Sequence, residues 1–201
     1  MKRILILFIV IIIGFALYWF VFRSKDTDDG PKAPPISLKK HSEAFNKSVA
    51  NMMNAYFDMK TAFVEADTLK IKENCRKFLI QLDAIPLDEL KKDTASIYET
   101  AKLNLGETKA AAQSLLSQTN ISEMRQDFRS VSEDLYPSFF IAINYEGPVL
   151  YWQNCPMAFG EGKDANWLSK SPAISNPYLG KKDPKYGSAM VTCGSIKDSI
   201  K

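Results

Sequence analysis

The sequence predicts a mainly α-helical protein. We expect an antiparallel four-helix bundle, followed by a loop-rich C-terminal segment packed on it and preceded by one N-terminal transmembrane helix. An unbroken apolar run begins at Ile4, and four amphipathic stretches with short connections fill the middle of the chain. After Asn144 the composition changes to Gly, Pro, Asn, Ser and Tyr. Short connections between amphipathic helices favour antiparallel neighbours.

Composition narrows the function classes. The chain has 201 residues, of which 46% are hydrophobic, and a formal net charge of +3. Lys and Arg are spread among acidic residues without the basic stripe of a nucleic-acid-binding protein, so we expect no nucleic-acid partner. The only histidine is His41, and His is the usual general base at neutral pH. The composition therefore argues against an enzyme.

The apolar run from Ile4 to Phe22 has the length of a membrane span. A helix of this run would be about 28 Å long, close to the thickness of a hydrocarbon core, about 30 Å. Bulky aromatic residues end the run, which favours an uncleaved anchor over the alternative, a cleaved signal peptide. We predict an anchor at residues 1–23, a Pro-rich linker at 24–36 and one domain at 37–201.

The charges around this span suggest its orientation. Lys2 and Arg3 precede it, and the first span usually has its positive end inside the cell. Arg23 and Lys25 follow it and count against this orientation, although the single span still favours it. We therefore expect a single-pass protein of the cell inner membrane with its C-terminal domain in the periplasm.

Start signals place the four helices. The first has Ser37 as a possible N-cap, the second follows Asp67, the third opens at Pro86 and runs to about residue 116, and the fourth has Asn120 as its cap. Pro137 should kink or end the fourth helix. The predicted apolar stripes are Phe45, Val49, Met52, Tyr56, Met59 and Phe63; Ile71, Cys75, Phe78, Leu79 and Leu82; Leu87, Leu90, Ile97, Ala101 and Leu105; and Ile121, Met124, Phe128, Val131, Leu135 and Phe139.

The C-terminal segment predicts little regular structure. Val149 to Gln153 reads as one short strand, and the rest as ordered loop. Its many aromatic residues argue against disorder, because disordered tails contain few of them. A long ordered segment of this kind is usually functional.

Two short sequences in this segment carry candidate ligands. Cys155-Pro156-Met157 and Met190-Val191-Thr192-Cys193 each place a thiol close to a thioether. Thiolate and thioether sulfurs are soft donors that select Cu(I) over Mg²⁺ or Ca²⁺. A disulfide between Cys155 and Cys193 that staples the segment is the competing interpretation, and by spacing alone it is favoured. The two interpretations are compatible as redox states of one site.

The other cysteine, three helical methionines and the histidine are expected to have structural roles or to lie at the surface, and not to bind metal. Cys75 lies on an apolar stripe and is expected to be a buried, inert thiol. Met52, Met53 and Met59 have helical spacing and are expected to pack in the core. His41 is expected to be a solvated surface residue.

The C-terminal motif resembles a known family. Five blocks occur in order: Cys155-Pro156-Met157-Ala158, then Ala165-Asn166-Trp167-Leu168-Ser169, then Ile174-Ser175-Asn176-Pro177-Tyr178-Leu179-Gly180, then Met190, and then Cys193-Gly194. With parts of the helical region, they make residues 40–201 similar to the DUF3347 family of bacterial extracytoplasmic proteins. Members occur alone or attached to periplasmic adaptor subunits of heavy-metal efflux systems.

The resemblance implies a role in copper binding or transfer. It makes Cys155, Met157, Met190 and Cys193 the candidate metal ligands, and makes Trp167 and the Asn176-Pro177-Tyr178 turn scaffold that shapes the loop. Many members carry histidines on the third helix and in the linker, and this chain has none there. The segment from Gly180 to Met190 is also longer than in the family pattern.

Together the residues predict a membrane-anchored periplasmic domain that binds a soft metal ion, and the resemblance implies that the ion is copper and that the domain acts as buffer, sensor or donor to an efflux adaptor or pump. The alternative is a metal-free structural or interaction domain of an envelope complex with a Cys155–Cys193 disulfide. An enzyme is disfavoured because a nucleophilic Cys needs a base nearby, and His41 is far from both cysteines in the sequence.

Overall fold

Helices make up most of residues 40–201, the part of the chain that this computed structural model describes. The main helices are α1 (Glu43–Val64), α2 (Thr68–Asp83), α3 (Ala95–Ser117) and α4 (Ile121–Glu133). A 3₁₀ helix (Leu87–Lys92) precedes α3, and a π-helical turn (Asp134–Phe139) leads from α4 into a short helix, α5 (Phe140–Ala142). The mainly helical fold predicted from the sequence is thus confirmed.

The predicted membrane anchor (1–23), the linker (24–36) and Ser37 lie outside the described residues. Between residues 40 and 201, no helix is both long enough and apolar enough to cross a membrane.

Polar caps set where the helices begin. The side chains of Ser42, Asp67, Thr94 and Asn120 each accept a hydrogen bond from the backbone N–H three residues further on. The predicted start of the second helix after Asp67 and the predicted cap at Asn120 are confirmed, whereas the first helix begins later than predicted, after Ser42. The prediction of one continuous third helix from Pro86 is wrong, because the backbone leaves helical geometry at Asp93 (φ −92°, ψ −90°) and α3 restarts after the Thr94 cap.

The predicted apolar stripes form the core. Most of their side chains are buried, and each large one stabilises the fold by about 1.5–3 kcal/mol. The fully buried members of the core include Phe45, Met52, Tyr56, Met59, Phe63, Ile71, Cys75, Phe78, Leu90, Ala101, Phe128, Val131, Leu135 and Phe139. The core packing expected of the three helical methionines is confirmed, since Met53 is also buried.

Pro137 ends the regular part of the fourth helix, as predicted. The backbone of Tyr136 is extended (φ −136°, ψ 131°), and the Tyr136–Pro137 peptide bond is cis. Proline lacks the N–H that a helix interior requires. The chain therefore leaves the axis of α4 here and continues toward the C-terminal segment.

The C-terminal segment contains a small antiparallel sheet. Its strands are β1 (Leu150–Cys155), β2 (Ala165–Ser169) and β3 (Ser195–Ile200), in the order β2–β1–β3. The prediction of ordered loop after Gln153 is wrong for β2 and β3. Five of the six β3 residues are exposed, so this edge strand lacks the apolar alternation by which half-buried strands are recognised.

Hydrogen bonds fix the sheet to the helices. The buried hydroxyl of Tyr56 on α1 accepts a hydrogen bond from the Leu168 backbone N–H (3.1 Å) and also bonds the Ser132 hydroxyl on α4 (2.7 Å). On the same side, the Asn166 amide donates to Glu133 (3.2 Å). The C-terminal segment thus packs on the helices, as the sequence predicted.

Candidate functional site

The antiparallel pairing of β1 and β3 brings the two C-terminal cysteines together. Cys155 is the last residue of β1, and its neighbour Asn154 pairs with Ser195, the first residue of β3. Cys193 comes two residues before β3 and so lies beside the end of β1. The two Sγ atoms lie 2.6 Å apart, although 38 positions separate the cysteines in the sequence.

Gly194 allows this close approach. Its φ is +144°, a region that L side chains rarely adopt. A Cβ atom there would lie 2.7 Å from the Asn154 carbonyl oxygen and 2.9 Å from the Trp167 ring. The backbone beside Cys193 therefore packs directly on β1 and on the Trp167 indole.

Asn176 holds the backbone of Cys193 from the other side. The Asn176 side chain is fully buried. Its Nδ2 donates a hydrogen bond to the Cys193 carbonyl (2.9 Å). Its Oδ1 accepts hydrogen bonds from the N–H groups of Tyr178 (2.8 Å) and Leu179 (3.1 Å). A second backbone bond runs from the Cys193 N–H to the Met190 carbonyl (2.9 Å). The loop before β3 thus fixes the main chain of Cys193.

The two thiols have different surroundings. Cys155 is completely buried, whereas Cys193 is partly exposed. Burial, then the hydrogen bond and charge interaction with Cys155, raise the pKa of the Cys193 thiol to about 12. At neutral pH this thiol is protonated, so a metal ion that bound its thiolate would displace a proton.

The two candidate thioethers flank the thiol pair in the sequence. Met157 lies in the wall of an open groove of about 390 Å³ that Arg125, Phe159 and Tyr178 also line. Met190 is partly buried and lies in the turn that ends at Cys193. Of the four sequence-predicted ligands, the structure thus brings Cys155 and Cys193 into direct sulfur contact.

No group of three or more His, Cys, Asp or Glu side chains suited to a metal ion occurs anywhere in residues 40–201.

The remaining Cys and His residues lie away from this pair. Cys75 is buried in the core, where its thiol contacts the Ala112 carbonyl (3.2 Å) and burial raises its pKa to about 12. This position agrees with the inert thiol expected from the sequence. The expectation of a solvated His41 is wrong: its side chain is only 2% exposed, stacks on Phe45 and bonds the Ile143 carbonyl through Nε2.

Two further side chains shape the site, and the sequence interpretation missed both. Gln153 on β1 is fully buried, and its Nε2 donates to the carbonyls of residues 171, 172 and 173 at 3.0–3.3 Å. Arg125 on α4 is buried and donates to the carbonyls of Pro177 (3.2 Å) and Leu179 (3.4 Å). A polar residue within an otherwise apolar strand or helix face is the sequence signal for a side chain that holds a loop in this way. Such a residue is buried and therefore needs hydrogen-bond partners inside the protein.

Comparison with known proteins gives one result. A family model described as a protein of unknown function (DUF3347) matches residues 52–142. This range begins within α1 and ends with α5, so Cys155 and Cys193 lie beyond it. No curated protein and no solved structure matches the chain.

Proposed function

We propose that this protein, which belongs through residues 52–142 to the DUF3347 family of unknown function, binds a soft metal ion, Cu(I), through Cys155 and Cys193. In this proposal the protein is anchored in the inner membrane by residues 1–23 and holds its domain in the periplasm. It acts there as a copper buffer, sensor or donor to an efflux adaptor or pump.

The observation that carries the proposal is the direct contact of two cysteine sulfurs in one partly accessible place. Thiolates are soft donors and favour Cu(I). The sulfurs come from the end of β1 and the loop before β3, and both positions are fixed by backbone hydrogen bonds. An ion would reach the pair from the side of Cys193, because Cys155 is completely buried.

Metal binding would need a small opening of the pair. Two sulfurs bound to one ion by bonds of about 2.3 Å lie roughly 3.8–4.6 Å apart, depending on the coordination angle. From their present distance of 2.6 Å, the sulfurs would separate by about 1–2 Å, as those bond lengths require. Met157 and Met190 follow or precede the thiols closely in the chain and are the candidates for additional soft ligands.

A Cu(I) titration tests the proposal. The full-length protein in detergent is reduced, kept anaerobic and titrated with Cu(I) against a competing chelator. We expect one ion per chain, and we expect Cys155→Ser/Cys193→Ser to abolish binding. Cys75→Ala is the matched control, because it removes a thiol outside the pair and should leave binding intact. Equal binding by the double variant and the unsubstituted protein would refute the proposal.

A second candidate is a metal-free interaction domain of an envelope complex, stapled by a Cys155–Cys193 disulfide. The observation that favours it is the separation of the two free thiols, 2.6 Å, which is closer to the S–S bond length of about 2.05 Å than to the roughly 3.8 Å expected for two ligands of one ion. Intact mass measured without reductant separates the candidates, since a disulfide lowers the mass by about 2 Da. A protein that is fully oxidised when isolated and does not bind Cu(I) after reduction would support this second candidate.

A further inference from the structure

The two sulfurs of the pair differ in their access to solvent. Cys155 has no exposed surface and lies at the end of the central strand, paired with Ala165 of β2. Cys193 is partly exposed, and its neighbours Thr192 and Ser195 are exposed. A reagent the size of a protein therefore reaches the sulfur of Cys193 and not that of Cys155.

This asymmetry matters when the pair is oxidised. A disulfide is opened by a thiolate that attacks one of its two sulfurs, so access to that sulfur controls where the reaction occurs. A disulfide between these two cysteines would expose only one sulfur. The soft-metal site that we propose requires both thiols, so a pair oxidised in the periplasm must be reduced before it can bind the ion.

We propose that the Cys193 sulfur is the point at which a thiol–disulfide oxidoreductase, a partner protein with a pair of reactive cysteines, reduces the oxidised pair. This inference rests on the proposed function, because it describes how the same site is returned to its metal-binding form. The contact surface for the partner consists of the exposed residues around Cys193, including Pro156, Thr192 and Ser195.

The reaction proceeds in two exchanges. A thiolate of the partner attacks Cys193 Sγ, an S–S bond forms between the two proteins, and the Cys155–Cys193 bond breaks. Its electron pair leaves on Cys155 Sγ, which takes up a proton. The second thiolate of the partner then attacks its own sulfur in the mixed disulfide and releases Cys193, which also takes up a proton. The partner is oxidised by two electrons, and the cysteine pair is reduced by two.

Access to Cys193 limits the first exchange, because a disulfide opens only where a thiolate can reach one of its sulfurs. Cys155 has no exposed surface and Cys193 is only partly exposed. A partner that docks over Cys193 would hold its thiolate against the accessible sulfur.

The test maps the mixed disulfide. Oxidised full-length protein in detergent is incubated with a thioredoxin whose second active-site cysteine is Ser, quenched with acid and digested. Mass spectrometry should find thioredoxin attached to Cys193 at least ten times more often than to Cys155. Equal attachment, or a majority at Cys155, would overturn the inference.

Single-thiol variants give an independent readout. In a Cys75→Ala background, Cys155→Ala leaves only Cys193 and Cys193→Ala leaves only Cys155. We expect the Cys193 thiol to react with dithionitrobenzoate at least tenfold faster than the Cys155 thiol, and we expect the rates to become equal in denaturant. Equal rates in the folded proteins would contradict the inference. The anaerobic Cu(I) titration of reduced protein does not depend on either result, so a failure of exchange is distinguishable from a failure of metal binding.

Discussion

Gly194 holds the thiol pair together by having no side chain. Replacing it with Ala puts a Cβ 2.7 Å from the Asn154 carbonyl oxygen at a φ of +144°. Backbone strain of this kind costs about 1–3 kcal/mol, and the overlap adds to it. We expect Gly194→Ala to lower the free energy of unfolding by about 3 kcal/mol and to slow disulfide formation. Urea unfolding and timed thiol trapping would measure the two effects.

Gly187 supplies the control for that substitution. It also has a positive φ, +58°, but a Cβ there would have no atom within 4 Å. Gly187→Ala should therefore cost only the strain of the backbone, about 1 kcal/mol, and leave thiol trapping unchanged. If the two alanine variants lost equal free energy of unfolding, the close packing of Gly194 on β1 would make no contribution to stability.

Lys60 is a buried cation that weakens the fold at neutral pH. Burial, then repulsion from Lys170, lowers the pKa of its ammonium from 10.5 to about 8. Below pH 8 the amine is charged in the folded and the unfolded state, so the cost of burying the charge is fully present. Between pH 8 and 10.5 the folded state loses the proton first, and the cost disappears.

Lys60→Met should therefore stabilise the protein at pH 7 by up to about 3 kcal/mol, the free energy that such a pKa difference represents. The Ser169 hydroxyl, which accepts from Lys60 at 3.4 Å, keeps its bond to the Ser171 carbonyl. Chemical denaturation at pH 7 and pH 10 measures the gain, which should be much smaller at pH 10. Lys47→Met on an exposed position of the same helix is the control, and an equal gain there would rule out burial as the cause.

At the scale of elements, the loop between β2 and β3 depends on one amide. Asn176 bonds the Cys193 carbonyl and two N–H groups of its own turn. We expect Asn176→Ala to lower the free energy of unfolding by about 2–4 kcal/mol, because it leaves buried polar groups without partners. Asn176→Asp keeps the acceptor for the turn but sets a buried carboxylate oxygen against the Cys193 carbonyl in place of the donor, so it should impair thiol pairing more than the turn. Thermal unfolding and disulfide formation rates distinguish the two variants.

The helices could be predicted from the sequence, and most of the sheet could not. Helix caps such as Asp67 and Asn120 are local, since each bonds an N–H three residues away, and the apolar stripes follow one period. The break at Thr94 was missed because the apolar pattern continues across it. β3 forms by pairing with β1, more than 40 residues earlier in the chain, and no local pattern shows such a partner. The cysteines were singled out by residue type, whereas their contact depends on that pairing.

At the scale of the whole molecule, the cysteine pair and the helices belong to one packed unit. The Tyr56 hydroxyl joins α1, α4 and the backbone of β2. The ring of Tyr178, in the loop that holds Cys193, packs on Phe128 of α4 with the ring centroids 6.0 Å apart. A constraint between β1 and the loop before β3 therefore acts on the stability of the helices as well.

Oxidation of the pair should for that reason stabilise the entire domain. A bond between Cys155 and Cys193 closes a loop over a sequence separation of 38 residues, which corresponds to about 4 kcal/mol in the chain-entropy account. For a domain of this size, that is a rise in the unfolding midpoint of roughly 10 °C. Far-ultraviolet circular dichroism would follow the helices of the oxidised and the reduced protein during heating. The Cys155→Ser/Cys193→Ser variant should unfold near the reduced midpoint with or without reductant. The contradicting outcome is a disulfide confirmed by mass spectrometry with no change in the unfolding midpoint of the helices. The C-terminal segment would then unfold separately from the helices. The contacts of Tyr56 and Tyr178 would be too weak for the disulfide to stabilise the helices.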